Sequence, residues 1–429
     1  MFYPNTRKYL ELFDPQGAKT FIITGTKGKT TLSLLLGAVL QTQFSQLIKV
    51  DSTGVYHNNQ QLYRSRQSIE QFGYQPTVMP GRYLHGLYKN QEINAGQTCF
   101  LLESSLTSGV FSTGVRHHHV GILTNVLSDH IDGQRIQSQQ DLKTLKAFVY
   151  QEIKPGGVYV TNLDNQPAAS TLRQPQLDEK QISKIGVSRQ QPAELEQLQS
   201  QWGLFDVFYQ TDTKIQSLNQ SDIIFQDMRL EQDPDFTEAA LFTLAAVSAS
   251  TDIELEKAAA AIKQFEFPKE YGRKLHFIRQ NQHLFVDYAH EQYSLERLVK
   301  RVRGETGAKP YVITRLSPTR SVEAVKRFAK QISSLPIEQL TIYDLIDGQS
   351  KQVYRKRSGY KRRAGETAEL IKSQLDALSP EYKVKTAASE EQALKQSLRV
   401  NHFPLIHIYH HLEQVQQQLE REGFELASS

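Results

Sequence analysis

Short hydrophobic runs alternate with amphipathic stretches along most of this chain. Short apolar runs predict strands, and apolar residues spaced three or four positions apart predict helices. In the first half the predicted elements are, in order, strand 21–24, helix 29–41, strand 98–103, strand 120–125, helix 138–153 and strand 158–162. Strands that alternate with helices indicate a mainly parallel sheet with helices on both faces.

A second alternation follows a more polar segment, residues 164–234, which is rich in Gln and holds short strand candidates such as 222–226. The elements predicted after it are helices 236–249 and 254–264, strand 283–288, helix 294–302, strand 310–314, helix 321–333, strand 339–344, helices 366–377 and 390–397, strand 405–409 and helix 412–421. The two alternations predict two domains, residues 1–271 and 272–429, with the boundary near Tyr271.

The composition narrows the classes of protein that this chain can belong to. A chain of 429 residues, 39% of them hydrophobic, can bury more than one core. Its longest apolar stretch, Leu34 to Leu40, is far shorter than the ~20 residues that a bilayer requires. The N-terminus lacks the charged-then-apolar order of a signal peptide, so we expect a cytoplasmic protein with no membrane partner.

Charge and cysteine content exclude two further classes. The net charge of +4 suits an anionic substrate, but no aromatic-and-basic motif accompanies it, so no nucleic-acid partner is expected. The single cysteine, Cys99, excludes a disulfide framework. Its apolar neighbours favour a buried, inert thiol over a nucleophile.

A glycine-rich turn between the first strand and the first helix is the clearest candidate site. It reads Thr-Gly-Thr-Lys-Gly-Lys-Thr-Thr, and we call residues 24–31 the phosphate loop. In such a turn, backbone N–H groups and a helix N-terminus converge on anionic oxygens. The lysine, here Lys29, reaches the terminal phosphates, and the following hydroxyl, here Thr30, binds Mg²⁺. Ile23 stands where the longer motif has its first glycine, so a purely structural turn remains the alternative.

The phosphate loop resembles the T-G-T-x-G-K-[ST]-[ST] motif of the Mur ligase superfamily, and further motifs of that superfamily follow in the expected order. They are Leu101-Leu102-Glu103, Thr124-Asn125 with Asp129-His130-Ile131-Asp132, Lys146 on a predicted helix, Lys154-Pro155-Gly156-Gly157 with Thr161-Asn162-Leu163-Asp164, Gly272-Arg273, and Val286-Asp287-Tyr288-Ala289-His290. Within the superfamily the likeness is closest to the C-terminal ligase half of cyanophycin synthetase, which Asp51 to Asn59 and Arg362 to Glu366 resemble more loosely.

This resemblance covers nearly the whole chain, and it implies a fold. The fold class is α/β, with a P-loop-type, mainly parallel central sheet that has helices on both faces, followed by a smaller Rossmann-like α/β domain. Residues 1–271 would be a Mur ligase central ATP-binding domain and residues 272–429 a Mur ligase C-terminal domain. We expect neither an ATP-grasp half nor a UDP-sugar-binding domain ahead of the phosphate loop.

The resemblance also implies the site residues. Those implied to bind ATP are Gly25, Thr26, Lys27, Gly28, Lys29, Thr30, Thr31, Asn125, Arg273, Asp287 and His290. Those implied to hold Mg²⁺, at one or two sites, are Thr30, Glu103, His130 and Lys146. Those implied to act in catalysis are Lys29, His130, Lys146 and Arg273. Many members carbamylate the lysine that matches Lys146 with CO₂, which turns a cation into a carboxylate-like ligand.

Some of these residues have structural alternatives. Lys146 could be an ordinary lysine on a solvated helix face, Glu103 a helix-cap or salt-bridge partner, and His290 an unexceptional loop histidine. Asp129 and Asp132 could be plain helix-terminal charges. Asp235 is expected to be the N-cap of a helix. The consecutive residues His117, His118 and His119 point to different sides, so we do not expect them to bind a metal. For Arg82, a clamp for an anionic substrate and a solvent-facing side chain are equal alternatives.

The resemblance implies an ATP-dependent carboxylate–amine ligase that forms ADP. A carboxylate of a small molecule or peptide would attack the γ-phosphate to give an acyl phosphate, and an amino acid or amine would displace the phosphate. The alternative is a non-catalytic or partner-dependent nucleotide-binding subunit of the same fold. Arg315 and Arg320 favour it, because they stand where the superfamily has a glycine-rich loop and the glycines are missing here. The identity of both substrates and the oligomeric state stay open.

Overall fold

The architecture is taken from a computed structural model of the whole chain. The structure describes residues 17–64, 84, 86, 98–104, 115, 117–127, 136, 138–190, 192–220, 222–267, 275–288, 292–316, 320, 322–344, 365–379, 383–400 and 403–427. The chain divides into two units, the first holding residues 1–130 and 138–267 and the second residues 131–137 and 268–429. No helix within the described ranges is long and apolar enough to cross a membrane.

Unit 1 alternates strands and helices, as the hydrophobic pattern predicts. Its strands are β1 Thr20–Thr24, β2 Gln46–Asp51, β3 Gly54–His57, β4 Gln60–Arg64, β5 Thr98–Glu103, β6 His118–Leu123, β7 Ile153–Asn162, β8 Ser183–Ser188, β9 Asp206–Thr211, β10 Lys214–Ser217 and β11 Phe225–Gln226. Its helices are α1 Lys29–Leu40, α2 Gln139–Lys146, α3 Phe148–Gln151, α4 Gln166–Ala169, α5 Pro175–Glu179, α6 Pro192–Trp202, α7 Arg229–Gln232, α8 Pro234–Ser250 and α9 Leu255–Gln264, with a 3₁₀ turn at Ser170–Arg173.

The eleven strands of unit 1 form one sheet in the order β11-β10-β9-β8-β7-β6-β1-β5-β2-β3-β4. The pairs from β9 through β2 are parallel, and the hairpin strands at both edges are antiparallel. Strand β6 shows why both faces are covered. Val120 and Ile122 pack into the core that contains α1 and α8. Gly121 lies on the opposite face of the sheet, where an added Cβ would be 1.9 Å from the carbonyl oxygen of Val149 in α3.

Unit 2 is a second α/β layer structure. Its strands are β12 Leu275–Arg279, β13 Gln282–Asp287, β14 Tyr311–Thr314, β15 Gln339–Tyr343, β16 Lys383–Ala387, β17 Leu405–Ile408 and β18 Glu425–Leu426. Its helices are α10 Gln292–Thr306, α11 Val322–Ile332, α12 Glu366–Leu378, α13 Glu390–Val400 and α14 Leu412–Arg421. The sheet order is β16-β15-β14-β17-β13-β12-β18, with the five strands from β16 to β13 parallel. Alternate strand residues enter two separate hydrophobic cores, one on each face.

The predicted fold class is confirmed, and four local predictions need correction. Residues 138–153 form two helices that break at Ala147, and the polar segment 164–234 holds strands β8, β9 and β10, which lack a strong apolar run. Helix α8 begins at Pro234 and is capped by Asp233, whose side chain accepts from the N–H groups of residues 235 and 236, so Asp235 is not the N-cap. The hairpin β2 to β4 and strands β12 and β16 were not predicted, because they lack the continuous apolar runs on which the other strand predictions rested.

Candidate functional site

The candidate site of unit 1 lies where four neighbouring parallel strands end. Strands β2, β5, β1 and β6 are adjacent in the sheet and run in the same direction, so their carboxyl ends meet at one edge. The residues that follow them are Ser52 after β2, the phosphate loop after β1 and Thr124-Asn125 after β6, while Glu103 ends β5. Open α/β sheets bind ligands at this edge.

The phosphate loop needs glycine at two positions. Gly25 has φ +148°, and a Cβ there would lie 1.9 Å from Oγ1 of Thr124. Gly28 has φ +77° and forms the N-cap of α1, a left-handed conformation that glycine adopts without strain. No side chain caps α1, so N–H groups of its first turn stay available to an anion.

The end of β6 fixes the shape of the phosphate loop. Asn125 accepts from the N–H of Thr26 through its carbonyl at 3.0 Å and from the N–H of Lys27 through Oδ1 at 3.0 Å. The Thr124 hydroxyl donates to the carbonyl oxygen of Lys27 at 2.5 Å. Asn125 was predicted to contact the nucleotide, and in the structure its side-chain oxygen braces the loop.

Two predicted metal or phosphate residues face each other. Nζ of Lys29 lies 3.9 Å from Oε1 of Glu103 and donates to the carbonyl oxygen of Thr26 at 3.3 Å. Both side chains are largely buried, with 15% and 10% of their surfaces exposed. The sequence analysis therefore selected a lysine and an acid that the fold does bring together.

Ser52 belongs to the same cluster, and the sequence analysis did not single it out. Its hydroxyl lies 2.9 Å from that of Thr30, and its N–H donates to Oε2 of Glu103 at 3.2 Å. The signal in the sequence that points to Ser52 is the loose resemblance of residues 51–59 to a segment of cyanophycin synthetase. That resemblance alone assigns no role to any residue in the segment.

Lys146 is buried, so the alternative of a solvated helix face is wrong. Only 1% of its surface is exposed, and Nζ donates to the carbonyl oxygen of Gly25 at 2.9 Å. Helix α2 starts with a capping box at Ser138 and Asp141 and ends at Lys146, which directs the amine toward the base of the phosphate loop.

Burial sets the electrostatics of this site. It raises the pKa of Glu103 above its usual 4.5; the charge of Asp51 adds to this, while the charge of Lys29 and hydrogen bonds from Thr30 and Ser52 oppose it. Burial, reinforced by the charge of Lys29, lowers the pKa of Lys146 well below its usual 10.5, against the opposing charge of Glu103. Burial therefore favours the uncharged amine of Lys146, which is the nucleophilic form, over the ammonium.

The converging donor set fits a magnesium ion bound together with phosphates. Within the described part of the chain, no group of three or more His, Cys, Asp or Glu side chains is arranged to hold a metal. The hydroxyls of Thr30 and Ser52 and the carboxylate of Glu103 instead offer oxygens, which Mg²⁺ prefers and completes with water and phosphate oxygens. The buried Thr31 hydroxyl has no hydrogen-bond partner among the described residues, so it too is available to a ligand.

Other candidate residues lie elsewhere or outside the described residues. His130, Arg273 and His290 are not among the residues that the structure describes, nor are Asp129, Asp132 and Arg82. Asp287 ends β13 in unit 2. Arg315 is buried and donates twice to the carbonyl oxygen of Tyr409, which is a structural role.

The remaining structural interpretations hold for the triplet of histidines and for Cys99. His118 is buried with Nε2 2.9 Å from the carbonyl oxygen of Val149, His119 accepts from the N–H of Thr20 at 3.2 Å, and His117 pairs with Glu152 at 3.3 Å. Cys99 is buried, and burial raises the pKa of its thiol.

Comparison with known proteins agrees with this geometry. Residues 23–220 match the family model of the Mur ligase middle domain, which includes the phosphate loop, Glu103 and Lys146. These matched residues are a little under half of the chain, and they support its resemblance to the Mur ligase superfamily. It is 25% identical over 297 residues to the cyanophycin synthetase of Trichormus variabilis, a match that covers 67% of this chain and 30% of that protein. The chain thus spans less than a third of the length of this curated relative.

Two solved structures share the fold of this chain. FolC from E. coli, in complex with DHPP and ADP, superimposes with a TM-score of 0.62 at 15% identity and covers 97% of this chain and 92% of its own. A bifunctional folylpolyglutamate synthase/dihydrofolate synthase with Mn, AMPPNP and L-glutamate bound gives a TM-score of 0.60 at 16% identity, with 94% of this chain and 88% of that chain covered. At these identities the likeness supports the fold alone.

Proposed function

We propose that this chain is a member of the Mur ligase superfamily and an ATP-dependent amide ligase that joins an amino acid or amine to a carboxylate and releases ADP and phosphate. The observation that carries the proposal is the meeting of Lys29, Thr30, Ser52 and Glu103 at the carboxyl edge of the sheet, around an uncapped helix N-terminus. That arrangement suits a polyphosphate with its magnesium ion. The solved relatives named above bind ADP, or AMPPNP with Mn, which supports the choice of an adenine nucleotide.

Each group of the phosphate loop has a distinct task in this proposal. The first-turn N–H groups of α1 and the Lys29 ammonium would bind the β- and γ-phosphates, and the Thr31 hydroxyl would donate to a phosphate oxygen. Thr30, Ser52 and Glu103 would hold Mg²⁺, which supplies positive charge to the phosphoryl group as it is transferred. Gly25 and Gly28 allow the backbone to adopt this shape, and Asn125 braces it.

The proposed reaction has two steps, phosphoryl transfer to the carboxylate and displacement of phosphate by the amine. A carboxylate oxygen of the first substrate attacks the γ-phosphorus of ATP, the bond to the bridging oxygen breaks, and ADP leaves. The amine of the second substrate then attacks the carbonyl carbon of the acyl phosphate, inorganic phosphate leaves, and the amine nitrogen loses a proton to solvent. The cations of the loop lower the repulsion between the carboxylate and the triphosphate, which is the usual barrier to such a transfer.

We further propose that Lys146 is carbamylated. A buried amine with a lowered pKa, 2.9 Å from the carbonyl oxygen of Gly25, is a good nucleophile toward CO₂. The product would be an anion close to Lys29, where a carboxylate-like oxygen could hold a second Mg²⁺ together with His130. Arg273, Asp287 and His290 remain proposed nucleotide residues on the strength of the resemblance alone.

The second candidate is a nucleotide-binding subunit that needs a partner for chemistry or has lost it. One observation favours it. Arg315, which stands at the start of the loop where the superfamily has glycines, is buried and donates to the carbonyl oxygen of Tyr409, so its guanidinium is not presented to a substrate.

Product analysis separates the two candidates. The full chain is incubated with Mg-ATP and a mixture of amino acids and short acidic peptides, and products are identified by mass spectrometry. A ligase forms an amide product and releases ADP only when a carboxylate and an amine are both present. Nucleotide binding without ADP release under every mixture supports the subunit instead. Intact mass measured in bicarbonate, with Lys146→Met as the control, tests for the added CO₂.

A further inference from the structure

Asp51 lies next to the proposed magnesium site, and its carboxylate accepts four hydrogen bonds. The proposed function gives this residue no role. Asp51 ends β2 and is 1% exposed. Its Oδ2 accepts from Nζ of Lys49 at 2.5 Å and from the hydroxyl of Ser33 at 3.3 Å. Its Oδ1 accepts from the N–H of Thr53 at 2.8 Å and from the Thr53 hydroxyl. Four donors occupy its acceptor positions, so Asp51 is poorly available as a metal ligand.

The bonds of Asp51 shape the turn that carries Ser52. An aspartate that accepts from the N–H two residues ahead closes an Asx turn, here over residues 51–53. The Thr53 hydroxyl also lies 2.9 Å from the phenol oxygen of Tyr56, which accepts from Nε2 of Gln61 at 3.0 Å. The turn is therefore tied both to β2 and to the hairpin that follows, and Ser52 lies at its centre.

Lys49 holds the carboxylate in place from the other side. Lys49 is 7% exposed. Its aliphatic chain packs against α1 at Gly37, where an added Cβ would lie 3.0 Å from Cδ of Lys49. Its Nζ is 4.0 Å from the centre of the Tyr56 ring. A buried ammonium requires an anion and gains from an aromatic face. Removing either member of the Lys49–Asp51 pair would leave a buried charge and release the turn.

We propose that Asp51, fixed by Lys49, is a positioning residue that aims the hydroxyl and N–H of Ser52 at the magnesium site of Thr30 and Glu103. This inference rests on the proposed function, because it assigns a task at the same site. It also explains why Asp51 and Glu103, two acids at the same edge of the sheet, have different roles. Asp51 is neutralised by a lysine and shapes the backbone, whereas Glu103 faces the phosphate loop and is left to bind the cation.

The test is the Mg²⁺ dependence of AMPPNP binding by the full chain, measured by titration calorimetry. Outer-shell partners of a metal site usually change metal affinity by about 10- to 100-fold, so Asp51→Asn and Lys49→Met should raise the half-saturating Mg²⁺ concentration by that factor. Thr53→Val, a milder change, removes one hydrogen bond to the same carboxylate and should act in the same direction. AMPPNP affinity without Mg²⁺ should be unchanged, which a general loss of structure would not permit.

Lys184→Met is the matched control. Lys184 is also a largely buried strand lysine of unit 1, with Nζ 2.8 Å from Oδ1 of Asp178 in α5. It lies on β8, which is separated from β1 and the phosphate loop by β7 and β6 in the sheet. We expect its Mg²⁺ dependence to match wild type.

A double-mutant cycle tests whether Asp51 acts through Ser52. The loss in Asp51→Asn/Ser52→Ala should be smaller than the product of the two single losses, because both changes disable the same group. Folded variants with wild-type Mg²⁺ dependence, or losses that multiply fully, would overturn the inference. If wild-type protein fails to bind AMPPNP with Mg²⁺ at all, the proposed function itself fails, which is a separate result.

Discussion

Nζ of Lys146 donates a hydrogen bond of 2.9 Å to the carbonyl oxygen of Gly25, so a buried lysine at the end of α2 supports the base of the phosphate loop. The two residues are 121 positions apart in the chain. The contact links the residue proposed for carbamylation to the turn proposed to bind the nucleotide, and it makes the loop sensitive to changes at α2.

Replacing Lys146 with Met should weaken nucleotide binding while the chain stays folded. The carbonyl oxygen of Gly25 would lose its donor, and leaving a buried polar group without a partner costs about 1–3 kcal/mol. We expect roughly a tenfold or greater loss of Mg-AMPPNP affinity by titration calorimetry. Lys143→Met is the control on the same helix, because Nζ of Lys143 donates to the Ser170 hydroxyl at 3.3 Å and not to the phosphate loop. Equal affinities for the two variants would contradict the role of the contact.

Replacing Gly25 with Ala should destabilise unit 1 more than replacing Gly28 with Ala. Both glycines have positive φ, at +148° and +77°, but an added Cβ meets Oγ1 of Thr124 at 1.9 Å for Gly25 and nothing within 4 Å for Gly28. The left-handed conformation alone costs an alanine roughly 1–2 kcal/mol, and the overlap adds to this only at Gly25. The free energy of unfolding from urea titration should therefore fall further in Gly25→Ala. The opposite order would show that the loop relaxes around the added methyl group.

Replacing Glu390 with Gln should reduce the stability of unit 2 in a pH-dependent way. Burial would raise the pKa of this glutamate, but hydrogen bonds from His407 and His411, together with the backbone N–H of His410, hold it well below its usual 4.5. A depressed carboxyl pKa contributes stability that is complete above 4.5 and is lost as the pH falls further. Glu390→Gln should cost about 1–3 kcal/mol at pH 7, and progressively less below the usual carboxyl range.

The measurement for Glu390 is urea unfolding at neutral and at acidic pH, followed by circular dichroism. Glu391→Gln is the control at the next residue, since Glu391 is exposed and pairs with Lys395 on the surface of α13. Exposed ion pairs of this kind contribute little to the free energy of unfolding. A constant difference in unfolding free energy between Glu390→Gln and wild type across the pH range would argue that the charge of the carboxylate does not stabilise unit 2.

The sequence predicted the parts of the site that are local in the chain. The phosphate loop follows from one strand, one turn and one helix, and Glu103 and Asn125 lie within two residues of the ends of strands that apolar runs predict. The resemblance to known motifs selected Lys146, but the pattern around it, Lys-Thr-Leu-Lys, is typical of a solvated helix. Its burial depends on the break at Ala147 and on packing against distant residues.

The parts that were missed depend on register between strands. Ser52 and Asp51 reach the site because β2 pairs with β5 in parallel, which brings the end of β2 beside Glu103. Polar residues interrupt β2 and its hairpin, so these strands lack the continuous apolar runs from which the other strands were predicted. Hydrogen bonds between side chains more than twenty positions apart, such as Thr30 to Ser52, have no signature in a single sequence.

The most direct test of the account is equilibrium binding of AMPPNP to the purified full chain in the presence of Mg²⁺. We predict saturable binding at one site that Lys29→Met weakens by at least about tenfold, because each charge-assisted hydrogen bond to a phosphate contributes about 1.5–3 kcal/mol. Lys184→Met should bind as wild type does. No binding by the wild-type chain, or equal binding by Lys29→Met, would contradict the assignment of residues 24–31 as a phosphate loop.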